Sequence, residues 1–229
     1  MAEAAVRVKI CGVRRPEDAR LAAHLGADAV GVLVGQSHPS GDFIEPSTAS
    51  AILRELPKPV IGVLVSHLED PAALLELIDL LHPGALQLHS AIPPEAVQQI
   101  RRAKADLLLS KAVHGNAGNP LETIRQYGHL VDGFVADSCN PATGQVGGTG
   151  LTHDWAISAD LVRQAPVPLW LAGGLTPHNV AAAIAQVQPW GVDVNSGVKG
   201  PDGFKCPQLL EAFIQAAKVN ASSSPRSPG

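Results

Sequence analysis

The stretch that decides the fold is V-D-G-F-V-A-D-S-C-N-P-A-T-G-Q-V-G-G-T-G-L-T-H-D-W, residues 131–155. It begins as an apolar run that ends in one carboxylate, Asp137, and then passes through a glycine-rich loop to a helix start. A buried strand that brings an aspartate to its carboxyl end and opens into such a loop is typical of barrel enzymes. Asp137 could also cap a turn, as aspartate often does. The rest of the chain has to decide between these two interpretations.

The same unit, a short apolar strand followed by a helix, recurs eight times along the chain. Eight such units in about this length predict a single-domain (β/α)8 TIM barrel of the α/β class. An open doubly wound sheet is the alternative, but it usually has fewer strands and an early G-x-G-x-x-G, which the chain lacks. The helix before the last strand is predicted at residues 176–187. The strands are predicted at residues 7–11, 27–34, 60–65, 85–88, 107–113, 131–137, 168–172 and 191–194.

Composition and charge favour a cytoplasmic enzyme. The chain has 229 residues, is 45% hydrophobic and 17% charged, and carries a net charge of −4 without a basic stripe, so we expect no nucleic-acid partner. No apolar run approaches the length of a membrane span or a signal peptide, so we expect no membrane association. Three widely separated cysteines predict neither a disulfide framework nor a zinc site. We expect residues 7–219 to form the barrel and residues 220–229 to be a disordered tail.

Few polar residues fall where a barrel places its active site, at the carboxyl ends of the strands. They are Cys11, Gln87, His89, Lys111 and Asp137. A thiol and a carboxylate differ in intrinsic pKa, and such a pair suits a general base and a general acid that move protons along carbon, as in aldose–ketose isomerisation. A lone cysteine is more often a small buried hydrophobic residue, which is the other interpretation of Cys11.

The loops after the last two strands, A-G-G-L-T-P and N-S-G-V, are rich in glycine. Glycine lets backbone N–H groups approach a dianion closely, and these are the strands that commonly build the phosphate site of a barrel. We therefore predict phosphate binding by the backbone around Gly173, Gly174 and Gly197, although these glycines could simply serve tight turns. Nine histidines include His38, His67, His89 and His114 after strands, but none is spaced as in a metal motif, so we predict no metal.

Several motifs together resemble the phosphoribosylanthranilate isomerase family of tryptophan biosynthesis. They are V-K-I-C-G-V, G-A-D-A-V-G-V, L-Q-L-H, an aspartate before G-G-T-G and D-W, L-A-G-G-L-T-P-H-N-V and V-D-V-N-S-G-V, in order from Val8 to about Lys218. The resemblance implies an Amadori rearrangement of N-(5′-phosphoribosyl)anthranilate with no cofactor, Cys11 as general base and Asp137 as general acid. It also implies a loop at residues 147–150 that folds over the substrate.

With these motifs in place, we expect a small phosphosugar as the ligand of a protein that is a monomer or a homodimer. The residues expected to bind it are Lys9, Gln87, His89, Lys111, Gly148, Gly173, Gly174, Asn195, Ser196 and Gly197.

Three residues depart from the family pattern. Asp42 stands where the family usually has an arginine that binds the anthranilate carboxylate, Lys199 stands in place of a glutamate, and Cys206 in place of an aspartate. An anion in place of a bidentate cation should repel a carboxylate. Either another residue, such as His38 or Lys111, replaces the arginine, or the chain is a paralogous isomerase of a different phosphoribosylamine. A non-catalytic phosphosugar-binding relative is a third possibility.

Overall fold

The computed structural model describes residues 6–36, 40–114, 119–137 and 155–219, and its strands close into one barrel. All eight strands are parallel and pair in sequence order, and β8 pairs with β1 to complete the ring. The predicted (β/α)8 barrel is therefore confirmed, and the open sheet is wrong. The strands are β1 Arg7–Ile10, β2 Ala29–Leu33, β3 Ile61–Ser66, β4 Ala85–Leu88, β5 Leu108–His114, β6 Gly133–Asp137, β7 Leu169–Leu171 and β8 Gly191–Val194.

A helix follows each strand, and six of the eight described helices begin at a proline. Proline suits the first helical position because that residue has no intrahelical partner for an N–H group. Asp70 and Asn119 cap α3 and α5 by accepting hydrogen bonds from the second residue of each helix. No helix within the described ranges is long and apolar enough to cross a membrane. The helices are α1 Pro16–His24, α2 Pro46–Glu55, α3 Pro71–Leu81, α4 Pro94–Ala103, α5 Pro120–Tyr127, α6 Trp155–Gln164, α7 Val180–Val187 and α8 Pro207–Val219.

The helix predicted at residues 176–187 begins later, at Val180. Asn179 is the reason, because its side chain folds back on the preceding loop. Its Oδ1 accepts a hydrogen bond from the backbone N–H of Thr176 at 2.8 Å, and its Nδ2 donates to the carbonyl of Gly174 at 2.9 Å. The predicted start at Thr176 rests on the Thr176–Pro177 pair, which is typical of a helix cap followed by the first helical residue. The amide instead holds residues 174–179 as a loop at the barrel mouth.

Apolar side chains form two layers. The larger layer lies between the strands and the helices and includes Phe134 and Phe213, both fully buried. The smaller layer fills the lumen and groups Cys11 with small and branched residues of β2 and β3. Burial of a large apolar side chain contributes about 1.5–3 kcal/mol, so the outer layer carries most of the stability. The lumen is therefore free to hold polar groups near its mouth.

Two aspartates close the barrel at the opposite end, where the strands begin. Asp28 accepts a hydrogen bond from the N–H of Val8 at 2.8 Å, and Asp132 accepts one from the N–H of Leu109 at 2.8 Å. Each carboxylate also pairs with an arginine or a lysine. Carboxylates at the start of barrel strands serve stability, whereas those at the carboxyl ends serve chemistry. Asp132 and Asp137 are thus on one segment of chain but belong to different ends of the fold.

Candidate active site

Three strands bring polar side chains into the lumen as pairs two residues apart. Successive residues of a strand face opposite sides of the sheet, so residues i and i+2 share the lumen. The side chains of Gln87 and Asp193 both accept hydrogen bonds from the Lys9 ammonium group, which places all three on the inner face of the barrel. The pairs are Lys9 with Cys11 at β1, Gln87 with His89 at β4, and Asp193 with Asn195 at β8.

Lys9 lies at the centre of this group and is buried. Its Nζ donates to Oδ2 of Asp193 at 2.6 Å and to Oε1 of Gln87 at 2.7 Å. Burial alone would lower the pKa of Lys9, but Asp193 and the neighbouring Cys11 outweigh that effect, so its pKa is raised. Lys9 therefore keeps its charge, and a fixed cation lies beside Cys11.

Cys11 follows β1 and is 8% exposed. Burial raises the pKa of the Cys11 thiol to about 11, and Asp193 adds to this, while Lys9 and Lys205 act in the opposite direction. A thiol in this setting keeps its proton at neutral pH. Its use as a base depends on the two ammonium groups, because positive charge nearby is what favours a thiolate.

Gln87 decides which nitrogen of His89 carries a proton. The Lys9 ammonium can only donate, so it takes Oε1 of Gln87 and leaves Nε2 facing His89 Nδ1, 3.4 Å away. The amide Nε2 can only donate, so Nδ1 accepts, and a neutral His89 then has its proton on Nε2. That nitrogen lies 3.9 Å from Oδ2 of Asp137. Lys9 thus orients, through the side chain of Gln87, the imidazole that faces the carboxylate.

Three histidine rings line the mouth beside Asp137. The ring centroids of His67 and His89 are 4.6 Å apart, and those of His89 and His114 are 5.1 Å apart. Burial lowers the pKa of His89 well below its ordinary value and lowers the pKa of His114 to about 4, so both rings are neutral at physiological pH. Asp137, 8% exposed at the end of β6, therefore lies beside two uncharged imidazole rings, those of His89 and His114.

The predicted phosphate loops come together closely. Gly173 and Gly174 have φ values of 83° and 65°, a region that favours glycine. A β-carbon built on Gly197 would overlap the carbonyl oxygen of Leu175, so the loop after β8 lies directly against the loop after β7. Ser196 and Gly197 form a short 3₁₀ turn, Ser196–Val198. The glycines therefore satisfy a steric need, and the backbone of the two loops lies together at one edge of the mouth.

Gly197→Ala is expected to destabilise the fold by about 1–3 kcal/mol, because the new methyl group meets backbone that must move. It should also weaken binding of inorganic phosphate, since the two loops can no longer approach each other. Gly41→Ala is the control, because a β-carbon built there meets nothing within 4 Å. Urea denaturation and phosphate titration of both variants check the prediction. Equal stability and equal phosphate affinity in the two would contradict it.

Asp42 does not lie free at the mouth as an uncompensated anion. One carboxylate oxygen pairs with Lys199, and the other accepts a hydrogen bond from Asn195 Nδ2 at 2.9 Å. Burial would raise the pKa of Asp42, but these two bonds outweigh it and the pKa is lowered. The expectation that Asp42 repels a substrate carboxylate is therefore wrong in its premise, because the charge of Asp42 is already neutralised by Lys199.

The predicted residues that the structure gathers at the mouth are Lys9, Cys11, Gln87, His89, Asp137, Gly173, Gly174, Asn195, Ser196 and Gly197. Lys111 is not among them. It lies on the other face of β5, where its Nζ donates to the carbonyl of Ala112 and is 5.6 Å from the ring centroid of Tyr127. Burial lowers its pKa to about 8. Gly148, the loop at 147–150, His38, Cys139 and the predicted tail lie outside the described residues.

Sequence reasoning did not assign two charged residues that the structure places in the site. Asp193 is the ion-pair partner of Lys9, and the V-D-V-N motif that contains it is one charge inside a buried strand, which is a usable signal. Lys205 precedes Cys206, one of the three departures from the family pattern. It is 2% exposed, and its Nζ donates to both the carbonyl and Oδ1 of Asn195, each at 2.9 Å.

Comparison with known proteins agrees with this geometry. Residues 8–216 match the family model described as N-(5′-phosphoribosyl)anthranilate (PRA) isomerase. The chain is 38% identical to N-(5′-phosphoribosyl)anthranilate isomerase 2 of Methanosarcina mazei, covering 93% of this chain and 94% of that protein. The crystal structure of phosphoribosyl anthranilate isomerase from Thermotoga maritima has a TM-score of 0.81 at 35% identity, covering 93% and 99% of the two chains. A phosphoribosyl anthranilate isomerase in complex with reduced 1-(o-carboxyphenylamino)-1-deoxyribulose 5-phosphate has a TM-score of 0.78 at 32% identity, with the same coverage.

Proposed function

Because the chain belongs to the N-(5′-phosphoribosyl)anthranilate isomerase family, we propose that it converts N-(5′-phosphoribosyl)anthranilate into 1-(2-carboxyphenylamino)-1-deoxyribulose 5-phosphate. The reaction is an Amadori rearrangement in tryptophan biosynthesis, carried out by an enzyme that we place in the cytoplasm. The observation that carries the proposal is the pairing of a thiol and a carboxylate, Cys11 and Asp137, at the ends of β1 and β6 around one barrel mouth.

The first step opens the ribose ring. Asp137 donates a proton to the ring oxygen, the bond from that oxygen to C1′ breaks, and the nitrogen lone pair forms a double bond to C1′. The product of this step is a protonated Schiff base. His89, with its proton on Nε2, is placed to stabilise the carboxylate that Asp137 becomes.

The second step moves a proton from C2′. The Cys11 thiolate takes this proton, and the electrons of the C–H bond form the double bond of an enolamine while the Schiff-base nitrogen regains its lone pair. The enolamine then gains a proton at C1′ and loses the proton of its C2′ hydroxyl, which gives the ketone. Lys9, beside Cys11, stabilises the thiolate before the transfer.

Phosphate binding anchors the substrate at the opposite part of the mouth. The backbone around Gly173, Gly174, Ser196 and Gly197 provides N–H donors, and remote binding of this kind holds the reacting carbon near both proton-transfer groups. The paralogous-isomerase alternative rests on Asp42 in place of the arginine that binds the anthranilate carboxylate. The ion pair of Asp42 with Lys199 removes the expected repulsion of that carboxylate, and the family match supports anthranilate as the aglycone.

The test is turnover of N-(5′-phosphoribosyl)anthranilate by the purified protein, followed as loss of anthranilate-type fluorescence. We expect saturable turnover that ribose 5-phosphate inhibits competitively. A protein that binds ribose 5-phosphate but leaves the fluorescence unchanged would contradict the proposed substrate.

A further inference from the structure

We propose that Lys205 is a positioning residue whose ammonium group, held by the oxygens of an Asn195 that Asp42 orients, stabilises the Cys11 thiolate. The residues that carry this inference are distant in sequence and converge from the loops after β1, β2 and β8. The inference rests on the proposed role of Cys11 as the base and adds a second cation to it.

Lys205 is a buried ammonium group without an ionised partner. Both oxygens that its Nζ contacts belong to Asn195 and are neutral, and within the described ranges no carboxylate lies within ion-pair distance of it. Burial accordingly lowers its pKa to about 8. A buried charge without a partner is costly, and ionisable groups with strongly shifted pKa values cluster at functional sites.

Cys11 is the group that can supply this opposite charge. Cys11 raises the pKa of Lys205, and Lys205 lowers that of Cys11. The two are brought close by Asn195, which packs against the residue after Cys11: a β-carbon built on Gly12 would lie 2.7 Å from the side-chain Cγ of Asn195. The remaining charged groups that act on the thiol are Lys9 and Asp193, which are already paired with each other.

Asp42 fixes the direction in which Asn195 points. The Asn195 amide lies between a group that can only donate, Lys205 Nζ, and one that can only accept, the carboxylate of Asp42. A flipped amide would place Nδ2 of Asn195 against the Lys205 ammonium group, which are both donors, and Oδ1 against the Asp42 carboxylate, which are both acceptors. Lys199 holds Asp42 in place by pairing with its other oxygen. The unexpected aspartate thus has a defined role, which is to keep Oδ1 of Asn195 directed at Lys205.

The experiment measures the rate at which iodoacetamide alkylates Cys11 at several pH values, in a background of Cys139→Ser and Cys206→Ser. Lys205→Met should lower the rate about 10-fold or more at a given pH, because a nearby opposite charge lowers a pKa by about 1–3 units. Lys205→Arg should keep most of the rate. If the substitutions acted only through the access of iodoacetamide to Cys11, Lys205→Arg would give the lower rate, because arginine is the bulkier side chain. Lys104→Met, which removes a lysine paired with Asp79 on the helical layer, should have no effect.

Two further variants test the positioning. Asn195→Ala removes no charge and should slow alkylation several-fold. Asp42→Ala removes a negative charge, which by itself would favour the thiolate. Slower alkylation in this variant would therefore mean that Lys205 has lost its position or part of its charge, since Asp42 orients Asn195 and also raises the pKa of Lys205. Faster alkylation would overturn the role of Asp42, and an unchanged rate in Lys205→Met would overturn the role of Lys205.

Alkylation needs no substrate, so its outcome is independent of the proposed substrate. In the isomerase assay, Lys205→Met should lower kcat with little change in KM, and Lys205→Arg should restore most of kcat. A Lys205→Met variant that alkylates normally but has a greatly raised KM would assign Lys205 to substrate binding and overturn the inference. Thermal denaturation of each variant excludes loss of the fold as the cause.

Discussion

Cys11→Ser is expected to lower kcat for N-(5′-phosphoribosyl)anthranilate by about 10³-fold, within the range by which a positioned general base accelerates proton transfer. A serine hydroxyl is a much weaker acid than a thiol, so the corresponding anion is almost absent at neutral pH even beside Lys9 and Lys205. The substitution removes no phosphate contact, and KM should change little. Steady-state kinetics by fluorescence give both parameters.

Cys206→Ser is the matched control for this variant. Cys206 lies in the loop before α8, where its Sγ donates to Oε1 of Gln208 at 3.2 Å, and it takes no part in the proposed site. It should retain the full kcat. If Cys11→Ser also retained kcat within a few-fold, another group would have to take the proton from C2′, and the proposed base would be wrong.

Asp137→Asn is expected to lower kcat by about 10²- to 10⁴-fold, since an amide of the same shape cannot donate a proton as a carboxylic acid does. Ring opening would then depend on water, although the His89 ring and the strand that carries residue 137 stay in place. Binding of ribose 5-phosphate should persist. The kinetic assay and a phosphate-binding titration together check the two halves of this prediction.

Asp132→Asn provides the comparison for this second variant, because it lies at the other end of the same chain segment. Its Oδ2 accepts from Arg101 at 2.5 Å and from the N–H of Leu109, so loss of its charge should reduce stability. Its kcat should stay near that of the unaltered protein. Equal losses of kcat in the two variants would mean that the effect comes from the fold and not from proton transfer.

The fold and the reacting pair could be predicted because their signals are local. Each short apolar strand and its helix can be recognised within about 25 residues, and eight such units suggest few architectures other than the barrel. Cys11 and Asp137 end predicted strands, so their place at the mouth follows from the strand ends alone. The same logic placed Gln87 and His89 correctly.

Lys111 shows where this logic fails. It also lies near the end of a strand, but the sequence alone did not show which face of β5 it occupies. Ser110 and His114 lie on the inner face of β5. Successive side chains of a strand point to opposite faces, so Lys111 lies on the face that packs against the helices. If the face of a strand is assigned one residue out of register, a side chain of the helical layer is mistaken for one that faces the substrate.

Asp42 shows a second limit, which is long-range pairing. Its partner Lys199 is 157 residues away in sequence, and each residue alone looked like an unexplained departure from the family pattern. Only the closed ring, which brings the loops after β2 and β8 to either side of β1, makes them one neutral pair. The net charge that a site presents to its substrate therefore cannot be predicted from the sequence until the ion-pair partner of each charged residue is known.

The central claim is that Asp137 acts first, by opening the ring, and Cys11 second, by removing the C2′ proton. The most direct test is to incubate N-(5′-phosphoribosyl)anthranilate with each inactive variant, add borodeuteride, and measure by tandem mass spectrometry the reduced open-chain amine that carries deuterium at C1′. Reduction of the product ketone would place the deuterium at C2′ instead. Cys11→Ser should yield this amine well above the enzyme-free background, because its Schiff base forms but cannot react further. Asp137→Asn should yield no more than the background. Equal trapping by both variants, or trapping by Asp137→Asn alone, would contradict the assignment of acid and base.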